Sequence, residues 1–154
     1  MSIFPTRILL ATDGSEEAER AALRAVDLAD ATDSELHVVH VGVVPTFLKS
    51  YPATLGYERK LYEQIEEVSK ERLRKESLGV KATGGTVAGA HLRMGQADLE
   101  IVALAEELGA GLIVMGSRGL GGVRRALMGS VSDSVVRHAH CPVLVVRAQK
   151  QRAA

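Results

Sequence analysis

Apolar positions along this chain fall into two registers, and their alternation predicts the elements. Runs dominated by apolar residues occur at 7–12 (RILLAT), 35–41 (ELHVVHV), 112–115 (LIVM) and 142–147 (PVLVVR), with a weaker one at 86–92. Short apolar runs rich in Val, Ile and Leu are the signature of strands buried on both faces. Between them apolar residues recur at helical spacing. Ala18, Ala22, Ala25, Val26 and Ala29 form a stripe of small side chains behind Ser15, which caps the helix, and Glu16 and Glu17 occupy its first turn. Leu61, Ile65, Val68 and Leu73 mark the inner face of a charged helix over 57–78, stopped by Gly79, with its Glu and Lys residues pairing on a solvated face. Ile101, Val102, Ala105 and Leu108 predict a helix over 98–108, and Val131, Val135 and Val136 one over 131–138. Residues 43–56, with Pro45, Pro52 and Gly56, read as an irregular loop, 93–96 as a turn, and 149–154 as a frayed tail.

The order β-α-β-α-β-α-β-α-β predicts an α/β fold, an open five-stranded parallel sheet with helices on both faces. In such sheets ligands bind beyond the carboxyl ends of the strands, where strand order reverses. The turns after strands one and four, at Asp13 and Gly116, meet at that point if the order is 3-2-1-4-5, which the pattern alone does not determine.

Composition narrows the function. The 154 residues suit one domain, residues 1–148, with the tail beyond it. Hydrophobic residues make up 46% and aromatics only 3%, so the core is aliphatic and stacking platforms for single-stranded nucleic acid are lacking. Lys plus Arg and Asp plus Glu balance at 19 each, so no net field draws the chain to nucleic acid or to an anionic membrane. The lone Cys141 excludes an internal disulfide and a Cys-based zinc site. No run reaches membrane-spanning length and Met1-Ser2-Ile3 begins no signal peptide, which predicts a cytoplasmic protein.

The chemistry concentrates in residues 116–132, GSRGLGGVRRALMGSVS, between a buried strand and a helix start. Glycines let a backbone approach an anion closely, successive N–H groups form a concave donor surface, and a helix N-terminus adds partial positive charge. Ser130 and Ser132 stand where an N-cap or a hydroxyl donor to phosphate would stand. The loop reads as an anion cradle; the plainer alternative is a connecting turn. Arg124 and Arg125 either fold over the phosphates or face solvent. The spacing is neither that of a P-loop, whose lysine is missing, nor that of the dinucleotide fingerprint, which opens the first helix of its domain. His138, His140 and Cys141 span a helix end and a strand start with no evident fourth metal ligand, and the strand-two histidines His37 and His40 read as structural.

Gly116, two residues, Gly119, nine residues, then Gly129-Ser130 closely resembles the ATP-binding motif G-x2-G-x9-G-[ST] of the universal stress protein family. The resemblance runs from Ile8 to Val146: LLATDGS is similar to the family's strand-one signature, and HAHCPVLVVR to its HxxCPVLVV ending through His138 and Cys141. It implies the strand order 3-2-1-4-5. It implies adenosine contact for Asp13, with Thr12 beside it, although Asp13 also suits an ordinary helix-capping turn. It implies an adenine-reading backbone at Val41, and phosphate and ribose contacts at Met115, Gly116, Gly119, Gly129, Ser130 and Val131. Arg118 replaces a His common in the family and would add a guanidinium beside the phosphates. Gly111 and Gln96 depart from the family's usual Asp and Pro. The implied function is an ATP-binding, stress-response protein that acts as a nucleotide-dependent conformational switch. ATP would bind with Mg²⁺ or Mn²⁺, and the chain would dimerise through the last strand, residues 142–147. The rival is a slow ATP hydrolase or nucleotidyl-transfer enzyme, for which no positioned base is evident; an empty-loop interaction module is a third reading.

Overall fold

The computed structural model describes residues 2–45, 48, 56–117 and 128–147. Arg118, Gly119, Arg124, Arg125, the tail 149–154 and most of the loop 43–56 lie outside them. The elements are β1 (Arg7–Ala11), α1 (Glu16–Thr32), β2 (Glu35–Val43), α2 (Gly56–Ala82), β3 (Val87–Gly95), α3 (Ala97–Leu108), β4 (Leu112–Gly116), α4 (Ser130–His138) and β5 (Val143–Val146). The strands pair in parallel in the order β3-β2-β1-β4-β5.

The apolar runs divide between two cores because successive strand residues point to opposite faces. Ile8, Leu10, Leu36, Val38, Leu112 and Val114 pack under α1 and α2. Leu9, Ala11, Val39, Val41, Ile113 and Met115 pack under α3 and α4, against Ile101, Leu104, Ala105 and Val135. Fully burying each large aliphatic side chain contributes about 1.5–3 kcal/mol. The Ser15 hydroxyl caps α1 by accepting the Ala18 N–H, and Ala18, Ala21, Ala25, Val26 and Ala29 are its buried residues. With methyl groups along that stripe, α1 lies close to the sheet. A Cβ at Gly116 would come within 2.9 Å of the Glu17 backbone.

Two expectations fail in α2. The helix does not stop at Gly79 but runs to Ala82, where Thr83 and Gly84 turn the chain. An interior glycine costs a helix about 1 kcal/mol, and the next residue, Val80, is buried to 3% exposure, which offsets that cost. Val68, expected in the core, is 65% exposed; Ser69, Ser77 and Val80 face inward instead. Ser69 tolerates burial because its hydroxyl donates to the Ile65 carbonyl. Elsewhere the differences are at ends: β2 and β3 extend to Val43 and Gly95, and α3 and α4 begin one residue earlier.

Gly111, at the entry to β4, lies against Thr6, whose Cβ would stand 3.0 Å from a Cβ placed there. The Gly111 N–H is bonded to the Arg7 carbonyl, so the chain cannot back away. Gly111→Ala should therefore destabilise the protein by roughly 1–3 kcal/mol, and Thr6→Ala in the same chain should recover part of the loss. A double-mutant cycle in urea checks this; strictly additive effects would show that Thr6 is not the obstacle.

Candidate functional site

β1 lies between β2 and β4, so the chain leaves its carboxyl end toward one side and leaves that of β4 toward the other. A cavity of about 650 Å³ opens there, and Thr12, Asp13, Val41, Met115, Gly116, Gly129, Ser130, Val131 and Ser132 all line it. Arg118 and Gly119 fall outside the described residues. The apolar floor comes from the α3-side core, through Val39, Val41, Ile101 and Met115.

The wall at β1 is rigid because every polar group of Thr12 is engaged. Its N–H donates to the Val39 carbonyl at 3.0 Å, its carbonyl accepts from His40 Nδ1 at 2.9 Å, and its hydroxyl donates to Glu76 Oε2. His40 is buried, which pushes its pKa below the usual imidazole value despite the opposing Thr12 bond, and it stands as the neutral Nδ1–H form. Asp13 accepts the Ser15 N–H at Oδ1, a turn two residues long, while Ser15 and not Asp13 caps the helix. A carboxylate has acceptor capacity beyond one such bond. Gly14 adopts φ +83, a conformation that favours glycine, and a Cβ there would meet Glu76 Oε1 at 3.0 Å.

The opposite wall is the start of α4. Ser117, just past β4, accepts at its carbonyl from both the Gly129 N–H and the Ser132 hydroxyl. That pins the two ends of the glycine-rich segment together. It also commits the Ser132 hydroxyl proton to the protein and makes Gly129, rather than a serine, the N-cap. Gly129 has φ −72, so its place in the motif does not rest on left-handed backbone. The first intrahelical bond runs from Asp133 N–H to the Gly129 carbonyl. The N–H groups of Ser130, Val131 and Ser132 precede it, have no intrahelical carbonyl to serve, and sit at the cavity with the positive end of the helix dipole.

α2 supplies the residues that sequence reading missed. Val68, Ser69 and Arg72 line the cavity, and Arg72 Nη1 donates to the Asp13 carbonyl at 2.9 Å. One turn on, Glu76 reaches Thr12. Desolvation, then the nearby Asp13 charge, raise its carboxyl from the ordinary 4.5 to about 7. The solvated face expected for the Glu and Lys residues holds for Arg59–Glu63, Lys70–Glu66 and Arg74–Glu71 but not for Glu76. The available signal was the helical register of Arg72 and Glu76 with Ser69 and Val80. His37 and His40 are both buried, and His37 bridges Glu35 and His91 at 3.1 and 3.0 Å. Among the described residues no group of three or more His, Cys, Asp or Glu is arranged to hold a metal ion. His140 instead pairs with Glu106, and Cys141 packs against the α3-side core.

A family model described as the universal stress protein family matches residues 5–147. The chain belongs to that family. It is 37% identical to the universal stress protein MJ0531 of Methanocaldococcus jannaschii over 150 residues, 94% of this chain and 84% of that one. It is 39% identical to the putative universal stress protein SH1215 of Staphylococcus haemolyticus, over 93% of this chain and 85% of that one. The solved structure of the protein MJ0577 superposes with a TM-score of 0.81 at 28% identity, covering 97% of this chain and 100% of that one. A universal stress protein solved in complex with cAMP gives 0.66 at 26% identity, covering 95% and 99%.

The raised Glu76 carboxyl has a stability consequence of definite sign. The native state holds this proton more tightly than the unfolded chain, so the stability it contributes is complete below pH 4.5 and is lost as pH rises through about 7. Glu76→Gln, which keeps an acceptor for Thr12, should raise the melting temperature at pH 8 and leave it nearly unchanged at pH 4. An equal change at both values would mean that the carboxyl is not held protonated.

Proposed function

We propose that this universal stress protein binds ATP in the cavity between β1 and α4 and acts in the stress response as a nucleotide-dependent conformational switch. The observation that carries the reading is the cavity itself. Residues matching the family's nucleotide motif come together there from four separate places in the chain, at about 650 Å³, a volume suited to a small ligand. The parts suit a nucleotide: an aliphatic floor for a base, Asp13 and Arg72 at one wall, and helix N–H donors at the other. The cAMP complex of a relative supports a nucleotide ligand of this class. The phosphates would be held by the Ser130–Ser132 backbone, with Gly119 and Arg118 contributing from the segment outside the described residues. A divalent cation, Mg²⁺ or Mn²⁺, would accompany them, because the motif has no P-loop lysine to neutralise their charge. Asp13 is the one acid among the described residues that line the cavity, and the reading is a binding protein, at most a weak ATPase. The proposal includes a cytoplasmic location; separately, no helix of the described residues is long and apolar enough to cross a membrane.

Gly129→Val should abolish nucleotide binding while keeping the fold, since φ −72 suits valine and only the approach of an anion is blocked. Melts with and without ATP and Mg²⁺ check this. Wild type should gain about 2.7 kcal/mol at a hundredfold excess over Kd, less when the cation is chelated, and the valine variant nothing. A valine variant that keeps the full shift would place the anion elsewhere.

β5 is an edge strand with Leu144 exposed, and we infer that it pairs with a second copy to form a homodimer, which removes an aggregation-prone edge. Val145→Lys should shift sedimentation toward monomer. An unchanged coefficient would put the interface elsewhere.

A further inference from the structure

We propose that Glu76 is a positioning residue of the nucleotide site, acting through Thr12 and Asp13, and that nucleotide binds most tightly when this side chain carries a proton. The proposal rests on the nucleotide reading above.

Glu76 does not line the cavity; it stands behind the wall. Two α2 residues one turn apart hold that wall, Arg72 through the Asp13 carbonyl and Glu76 through the Thr12 hydroxyl. Glycine at position 14 leaves room for the carboxyl to enter, with φ +83 and Oε1 3.0 Å from where a Cβ would be. Oε1 is buried and has no hydrogen-bond partner among the described residues. An ionised carboxylate in that state is costly, and its surroundings add to the cost. Asp13 from the β1–α1 turn and Glu19 from α1 are the acids that face it, and Arg72 on its own helix is the cation. His40 from β2 is held neutral by burial and adds no positive charge.

A nucleotide brings anionic phosphate to the α4 wall of the cavity, across the same space from Thr12 and Asp13. That charge disfavours ionised Glu76, and by linkage ionised Glu76 disfavours the nucleotide. Occupancy therefore raises the carboxyl above its value of about 7 in the free protein, and binding takes up a proton. Affinity should fall as pH rises through neutrality, by roughly tenfold for each unit that occupancy raises the group. A side chain that merely buttresses the turn would give no such dependence.

The test compares Kd for ATP with Mg²⁺ in wild type and Glu76→Gln at pH 5.5 and 8.5. Titration of the γ-phosphate is common to both proteins, so their ratio isolates Glu76. The ratio should be near one at pH 5.5, and at pH 8.5 wild type should bind roughly three- to tenfold more weakly than the variant. A ratio equal at both values would overturn the proposal while leaving the nucleotide site intact. Absence of binding in both folded proteins would overturn the nucleotide reading and this proposal with it. Calorimetry of wild type with preformed Mg²⁺–ATP at pH 7.5, in two buffers of different ionisation enthalpy, needs no variant. It should show net proton uptake, and none or a release would overturn the proposal.

Discussion

The hydrogen bonding of β1 on both sides is the constraint from which the rest of this structure follows. Ile8, Leu9 and Leu10 pair with Leu36, His37 and Val38 of β2 on one side and with Leu112, Ile113 and Val114 of β4 on the other. A strand in that position has no edge, so its side chains must be apolar on both faces, and Ile8, Leu9 and Leu10 are fully buried. Right-handed crossovers then send the two halves of the chain to opposite sides of it. The crevice at its carboxyl end is a consequence of connectivity rather than a feature added to the fold.

What lines the crevice is set by what the ends of β1 and β4 need. Thr12 cannot leave its backbone groups unpaired at a sheet end, and Val39 and His40 of the neighbouring strand satisfy them. Ser117 meets the same need at the end of β4, through Gly129 and Ser132. The two walls are thus held by bonds within the protein. The first residues of α4, whose N–H groups have no intrahelical acceptor, line the space between.

α2 links the crevice to the outer surface. Exposed ion pairs along its outer face contribute little each, typically under about 1 kcal/mol. Arg72 and Glu76 differ because they are drawn against the β1–α1 turn, where water is scarce and each charge is felt by the other and by Asp13. The same helix that closes the sheet on one face therefore contributes charge to the site on its end.

The sequence by itself determined the fold class, the five strands and the position of the glycine-rich segment, because those depend on period and punctuation that each stretch carries locally. RILLAT and LIVM carry apolar runs that only a sheet interior covers. The cap at Ser15 was legible for the same reason, whereas at α4 Gly129 stands in place of the expected serine. The inner face of α2 was not. Its apolar residues suggest a stripe through Val68, but the rotation of a helix is chosen by what the sheet offers it, and the sheet accepted Ser69, Ser77 and Val80. The reach of Glu76 to Thr12, across 64 positions of sequence, has no local signal at all. The burial and neighbours that raise a carboxyl to about 7 exist only once α2 has packed over Gly14. The crowding of Gly111 by Thr6 likewise exists only in the folded chain. Local sequence settles which elements form; only their packing decides which polar residues lose their water, and so which of them acquire a chemistry of their own.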